Sequence, residues 1–281
     1  MAEITESDRK RKVENAFPRE EFNKAIIQKT LEECATQEKL FGPPPRAHLC
    51  LLPSQQHRDA SAEKCEQPLS VRVHEGDSVA LAQKLTKEQP SAKVWLLNMT
   101  CSMTPGGGAR SGINAQEEHL CRCSNLLPQL ESAAKYYPLR QRHYDGIDMK
   151  VLVHERVVFF KNPSDYGKLD MQDWFRAGVL TASAENVSQT DETIDPNADR
   201  FIDFLLNVVQ MQECTHIILS TWGCGALGQS ADAVARTFKR ALARFDARTF
   251  PQVFFAVIDD QWKSTRTPGN LHAFRSVFVE K

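Results

Sequence analysis

The chain has 281 residues, of which 41% are apolar and 25% charged, with a formal net charge of −1. These values suit a globular protein with one large core or two small ones, and the balanced charge gives no bulk attraction to nucleic acid. No apolar run is long enough to span a bilayer, and the start, MAEITESDRKRKVENAF, lacks the apolar stretch of a signal peptide. The expectation is a cytoplasmic or nuclear protein with no membrane contact and no direct nucleic-acid partner. The eight cysteines contain no CxxC pair and the histidines no metal-binding spacing. Reduced thiols, no structural disulfide, no metal and no cofactor are therefore expected.

Residues 1–18 read as a disordered tail. From Arg19 to about Gln37, Phe22, Ala25, Ile26, Leu31 and Cys34 recur near helical spacing. Phe41-Gly-Pro-Pro-Pro45 ends that helix and forms a stiff connector, so 19–46 is an N-terminal extension and 47–281 a single domain. Residues 53–68 read as a polar surface loop. An alternation follows. Strands are expected at 69–73, 94–98, 151–153, 157–160, 178–183, 216–220 and 252–258. Helices are expected at 77–88 with Asp77 as N-cap, at 116 to about 134 with an interruption or kink at Pro128, at 200–213, at 230 to about 245, and at 270–279. Strands alternating with helices of this length define an α/β fold with a largely parallel or mixed sheet flanked by helices.

Open α/β sheets bind ligands beyond the carboxyl ends of their strands. Two glycine-rich loops fall there. The first follows Val94–Asn98 and carries Gly106-Gly-Gly108. The second follows His216–Ser220 and reads Thr221-Trp-Gly-Cys-Gly-Ala-Leu-Gly-Gln229. Glycine lets the backbone approach a ligand closely, and successive free N–H groups make an anion site. Gly223-x-Gly225-x-x-Gly228 has phosphate-loop spacing but lies too late in the chain for a dinucleotide fingerprint. Gln116-Glu117-Glu118 sits where a helix starts. On residue types alone the two glutamates read as first-turn acids, and their ~100° separation keeps both carboxylates from addressing one atom from the same face, so that one faces a ligand while its neighbour holds it or a ribose hydroxyl. Cys224, Cys101 and Cys121 read as small buried thiols, Trp95 and Trp222 as core.

Gly106-Gly-Gly108, a seven-residue spacer and Gln116-Glu-Glu118 resemble the signature loop of poly(ADP-ribose) glycohydrolases, specifically the microbial-type branch built on a macrodomain. The likeness extends to Leu97-Asn98, Leu120-Cys-Arg122, Tyr136-Tyr-Pro138, Ala182-x-Ala184-x-Asn186, Trp222-Gly-Cys-Gly-Ala226 with Gly228, and Ala256-Val-Ile-Asp259. The resemblance implies a macrodomain-like catalytic domain with Glu118 as general acid/base and Glu117 on the neighbouring ribose hydroxyls. Gln116 then supports the loop. Asn98 and Gly106, Gly107 and Gly108 line one side of the substrate, and Gly223, Cys224, Gly225, Ala226, Leu227 and Gly228 wrap the other. The implied partner is an ADP-ribose polymer or ADP-ribosylated protein, met by a monomer. Thr104, Leu227 and Gln229 stand where the family usually has Asn, an aromatic residue and Asn, which bears on substrate positioning and chain-length preference. A reader of ADP-ribose without turnover, a mono-ADP-ribosyl hydrolase and a nucleotide-dependent transferase are the alternatives. Burial raises a catalytic carboxyl's pKa and a helix start lowers it, and the sequence leaves that balance open.

Overall fold

The computed structural model describes residues 19–52, 67–143, 146–258 and 269–279. The expected tail at 1–18, most of the expected loop at 53–68, and Asp259 lie outside the described residues. The strands are β1 (His48–Leu51), β2 (Val71–Glu75), β3 (Val94–Met99), β4 (Arg140–His143), β5 (Gly146–Phe159), β6 (Phe175–Ala182), β7 (His216–Leu219) and β8 (Gln252–Val257). The helices are α1 (Arg19–Phe41), α2 (Ser78–Glu88), α3 (Gln116–Cys123), α4 (Leu126–Ser132), α5 (Ala198–Met211), α6 (Ala231–Leu242) and α7 (Asn270–Phe278).

The sheet runs β1-β5-β6-β3-β7-β8-β2, with β4 paired to β5 outside that path. The five strands from β6 to β2 are parallel, while β5 and β1 each run antiparallel to the preceding neighbour. The expected mixed α/β sheet is therefore present. β3 sits at its centre. Its residues alternate between two cores, Trp95 and Leu97 facing α5 and α6, Val94 and Leu96 facing α2, α3 and α4. Burial on both faces is why its sequence is continuously apolar rather than alternating.

Several boundaries differ from expectation for identifiable reasons. Helix α1 runs to Phe41 and stops where Gly42 takes φ +80°. Its buried positions are Asn23, Ile27, Thr30 and Cys34, and Ala25 is exposed, because two polar side chains on this face bond to backbone of the domain. Strand β1 was not expected; it adds antiparallel to β5 at the sheet edge. The helix expected at 116–134 is two helices. The break falls at extended Ser124, which bridges to Phe159, so that Pro128 sits in the first turn of α4, where its missing N–H costs no bond. The strands expected at 151–153 and 157–160 are one strand, β5, irregular between His154 and Val157. The expected final strand stops short of Ile258, which is exposed. Asp77 does cap α2, its carboxylate accepting the Ala80 N–H at 2.8 Å.

Candidate active site

The carboxyl ends of β3, β6 and β7 lie side by side, and the first glycine loop leaves from β3. Helix α3 returns against the end of that same strand. Gln116 makes this junction: its Oε1 accepts the Met99 N–H at 2.9 Å and its Nε2 donates to the Leu97 carbonyl at 2.8 Å. The amide thus pairs with β3 backbone as a neighbouring strand would. Both polar ends are occupied, which makes Gln116 a support.

Glu117 and Glu118 follow, both buried. Glu117 Oε1 accepts from the Thr100 hydroxyl at 2.5 Å and from Asn98 Nδ2 at 3.3 Å, and its Oε2 accepts the Cys101 N–H at 2.9 Å. Asn98, fully buried, also donates to Thr181 Oγ1 at 3.2 Å, and its Oδ1 has no protein partner. Burial pushes the Glu117 carboxyl up to about 7, and the charge of Glu118 adds to it, against the opposing pull of the three donors. For this glutamate burial outweighs its hydrogen bonds. Glu118 Oε1 accepts the Gly108 N–H at 2.9 Å, while its Oε2 is buried without a partner.

The two carboxylates converge on Gly107 despite their ~100° separation along the helix. A Cβ added at Gly107 would lie 2.5 Å from Glu118 Oε1 and 2.9 Å from Glu117 Oε2. Three rotatable bonds in each glutamate bring the two carboxylates to one point despite diverging Cα–Cβ directions. Gly107 has φ +54°, and its neighbours are equally enclosed: a Cβ at Gly106 or at Gly108 would fall 2.3 Å from Leu127 and Ile113 respectively.

Helix α1 packs on the back of this loop. Asn23 Nδ2 donates to the Gly112 carbonyl at 2.8 Å, and Gly112, at φ +83°, leaves room for the Glu20 backbone. Fully buried Arg122 holds the spacer through Ile113 O and Asn114 Oδ1, with its guanidinium 5.2 Å from the Tyr166 ring centre. His119 lies between Asp77 (3.2 Å) and the Tyr166 hydroxyl (2.9 Å). Burial lowers its pKa, but Cys123 and Asp77 together hold it well above the ordinary value.

The second loop stands beside the first. The Ala182 carbonyl at the end of β6 accepts both the Thr100 N–H and the Trp222 indole N–H, one from each loop. Gly223 (φ +83°) and Gly228 (φ +77°) need their left-handed backbone, and a Cβ at Gly228 would meet the Ser188 backbone at 2.7 Å. Gly225 is different: nothing lies within 4 Å of its Cβ position. Ala226 is exposed, while Cys224 and Leu227 are half-buried. Cys224 and Cys101 are thus less enclosed than expected, Cys101 being exposed, whereas Cys121 is fully buried and Trp95 and Trp222 are buried. The sequence reading missed Thr100, the Cys101 N–H and Asn23; a threonine, a backbone amide and an asparagine carry no motif. Among the described residues, no group of three or more His, Cys, Asp or Glu could hold a metal, and no helix is long and apolar enough to cross a membrane.

A mixed sheet with paired glutamates and two glycine loops at adjacent parallel-strand ends is the arrangement of a macrodomain-like hydrolase. The family model for the microbial-type PARG catalytic domain matches residues 11–162, more than half of the 281 residues. The chain belongs to this family and is a glycosidase. Among solved structures, poly(ADP-ribose) glycohydrolase of Thermomonospora curvata bound to the inhibitor ADP-HPD shares its fold, with a TM-score of 0.68 and 23% identity over 91% of this chain and 99% of that one. Poly(ADP-ribose) glycohydrolase of Deinococcus radiodurans in complex with ADP-ribose aligns with a TM-score of 0.59 and 27% identity over 77% of this chain and 86% of that one. No curated protein matches the chain.

Proposed function

We propose that this enzyme hydrolyses the ribose–ribose O-glycosidic bonds of poly(ADP-ribose), free or protein-attached, and releases ADP-ribose, with Glu118 as general acid/base. The observation that carries the assignment is the unequal satisfaction of the two glutamates. Glu117 has both oxygens held by three donors. Glu118 has one oxygen held by Gly108 and one buried and unpartnered. A general acid needs such an oxygen, within hydrogen-bond reach of the bond it cleaves.

Breaking the bond develops an oxocarbenium-like ribose and a leaving alkoxide. The protonated Glu118 delivers its proton to the leaving oxygen. Water then attacks the ribose carbon and returns a proton to Glu118. Glu117, fixed by Asn98, Thr100 and Cys101, holds the adjacent ribose hydroxyls, and the crowding at Gly107 keeps the two carboxylates at one place. Backbone from Gly106 to Gly108 and from Gly223 to Gly228 receives the diphosphate from two sides. Gly225 presents the least obstructed approach.

Glu118→Gln keeps the shape and the Gly108 contact but cannot cycle a proton. Turnover of polymer is expected to fall at least ~10³-fold, with ADP-ribose affinity changed less than ~3-fold by calorimetry. Substantial residual release of ADP-ribose by this variant would remove Glu118 from its role.

A further inference from the structure

Arg140, at the start of β4, belongs to neither glycine loop and yet touches the supports of both. Its backbone is stitched to the first loop: the Arg140 N–H donates to Ser102 Oγ at 3.1 Å, and Ser102 Oγ donates to the Arg140 carbonyl at 2.9 Å. Its side chain, 4% exposed, reaches the other way. Nε donates to Glu185 Oε2 at 2.6 Å and Nη2 to Asp195 Oδ2 at 2.5 Å, with the guanidinium carbon 3.9 Å from the centre of the Phe201 ring. Glu185 and Asp195 lie at the two ends of the connection that follows β6. That connection is the floor of the second loop, and Gln229 ties the two together: its Nε2 donates to the Glu185 carbonyl at 2.9 Å and its Oε1 accepts the Asp195 N–H at 3.5 Å.

The continuous path is therefore Ser102, Arg140, Glu185 with Asp195, then Gln229. An ion cluster this deeply buried is a poor way to gain stability, because desolvation offsets most of the attraction. What a planar guanidinium does well is hold two carboxylates at fixed angles. We infer that Arg140 is a positioning residue for the reaction: it sets the gap between the two glycine loops, and hence how tightly both can grip one diphosphate. The inference rests on the proposal that both loops bind a single ADP-ribose unit.

Arg140→Lys keeps the charge and loses the fork. It is expected to weaken ADP-ribose binding and raise KM for polymer ~10-fold or more, while kcat falls less than ~3-fold, since Glu118 is held by Gly108, outside the path. The decisive measurement is a cycle of Ser102→Ala, Gln229→Ala and the double variant, which leaves Arg140 and its carboxylates in place even where Arg140→Lys fails to fold. Each single change should weaken ADP-ribose binding ~3–10-fold, and the double variant should weaken it by clearly less than the product of the two. Strictly multiplicative effects, or affinities within twofold of the wild type in all variants, overturn the inference. If the wild type itself does not bind ADP-ribose, the functional proposal fails first and this inference falls with it; Glu118→Gln assayed in parallel separates the two failures.

Discussion

The two glycine loops use the same residue for opposite ends. In the first, each glycine of the Gly106–Gly108 run is hemmed in: a side chain would strike Leu127, the paired carboxylates or Ile113. In the second, Gly223 and Gly228 satisfy left-handed turns, while Gly225 faces open space. The first loop is a mould pressed around two acids; the second is closed in at Gly223 and Gly228 but keeps its backbone clear at Gly225. On the proposed reading, the closed loop fixes the glutamates and the opening at Gly225 gives the substrate access to backbone.

The contrast breaks most visibly at Gly107. Gly107→Ala places a methyl 2.5 Å from Glu118 Oε1 at a φ of +54°. A displacement of the acid by about 1 Å is expected to cost ~10²-fold in kcat/KM, measured as initial rates of ADP-ribose release. A loss under ~3-fold would mean that the mould yields.

Acid–base behaviour comes next. Burial holds the Glu117 carboxyl up near 7, so Glu117 sheds its proton as pH rises through that region, and kcat/KM should decline on the alkaline side. Thr100→Val removes a donor that favours the charged carboxylate and should move the decline to higher pH. The same proton appears in stability. Folded Glu117 holds its proton to about 7 whereas the unfolded residue releases it near 4.5, so its contribution is full below about 4.5 and lost as pH rises through about 7. The span corresponds to about 3 kcal/mol. Urea midpoints of the wild type and Glu117→Gln across pH 4–8 should therefore diverge in slope, the variant being flatter. Parallel curves would mean that Glu117 is not the buried acid described.

The smallest effect belongs to Gly225→Ala, where thermal stability should stay within about 1 °C and KM should change less than ~5-fold, since no protein atom opposes the new methyl. If Gly225→Ala proves as damaging as Gly107→Ala, the distinction between mould and opening collapses.

Much of this was legible in the sequence. The run Val94–Asn98 announced a strand buried on both sides, Asp77 a helix start, and the spacing from Gly106 to Glu118 a folded-back loop. What stayed hidden has a common cause. Asn23 and Thr30 occupy buried positions on α1 because they bond to the backbone of Gly112 and of Arg122 in α3, so the apolar residues Leu31 and Cys34 mark only part of the buried face. Thr100 and Ser102 act through single hydroxyls, and Arg140 draws its meaning from Glu185 and Asp195, 45 and 55 positions later. The convergence of Glu117 and Glu118 depends on side-chain torsions, which no residue spacing encodes. Periodicity reports faces of elements; it is silent on which polar groups meet across the fold.

The central place of β3 has a consequence for how the enzyme is made. Both lateral neighbours of β3 arrive late: β6 at residues 175–182 and β7 at residues 216–219. A chain emerging from the ribosome delivers the acids, their glycine mould and α1 long before either flanking strand exists. Until β7 is synthesised, the strand against which α3 and its two glutamates pack has an unpaired edge, and such edges invite pairing with other chains. Nascent chains halted between about residue 120 and residue 215 should thus be the most dependent on chaperones, and the least able to bind ligand.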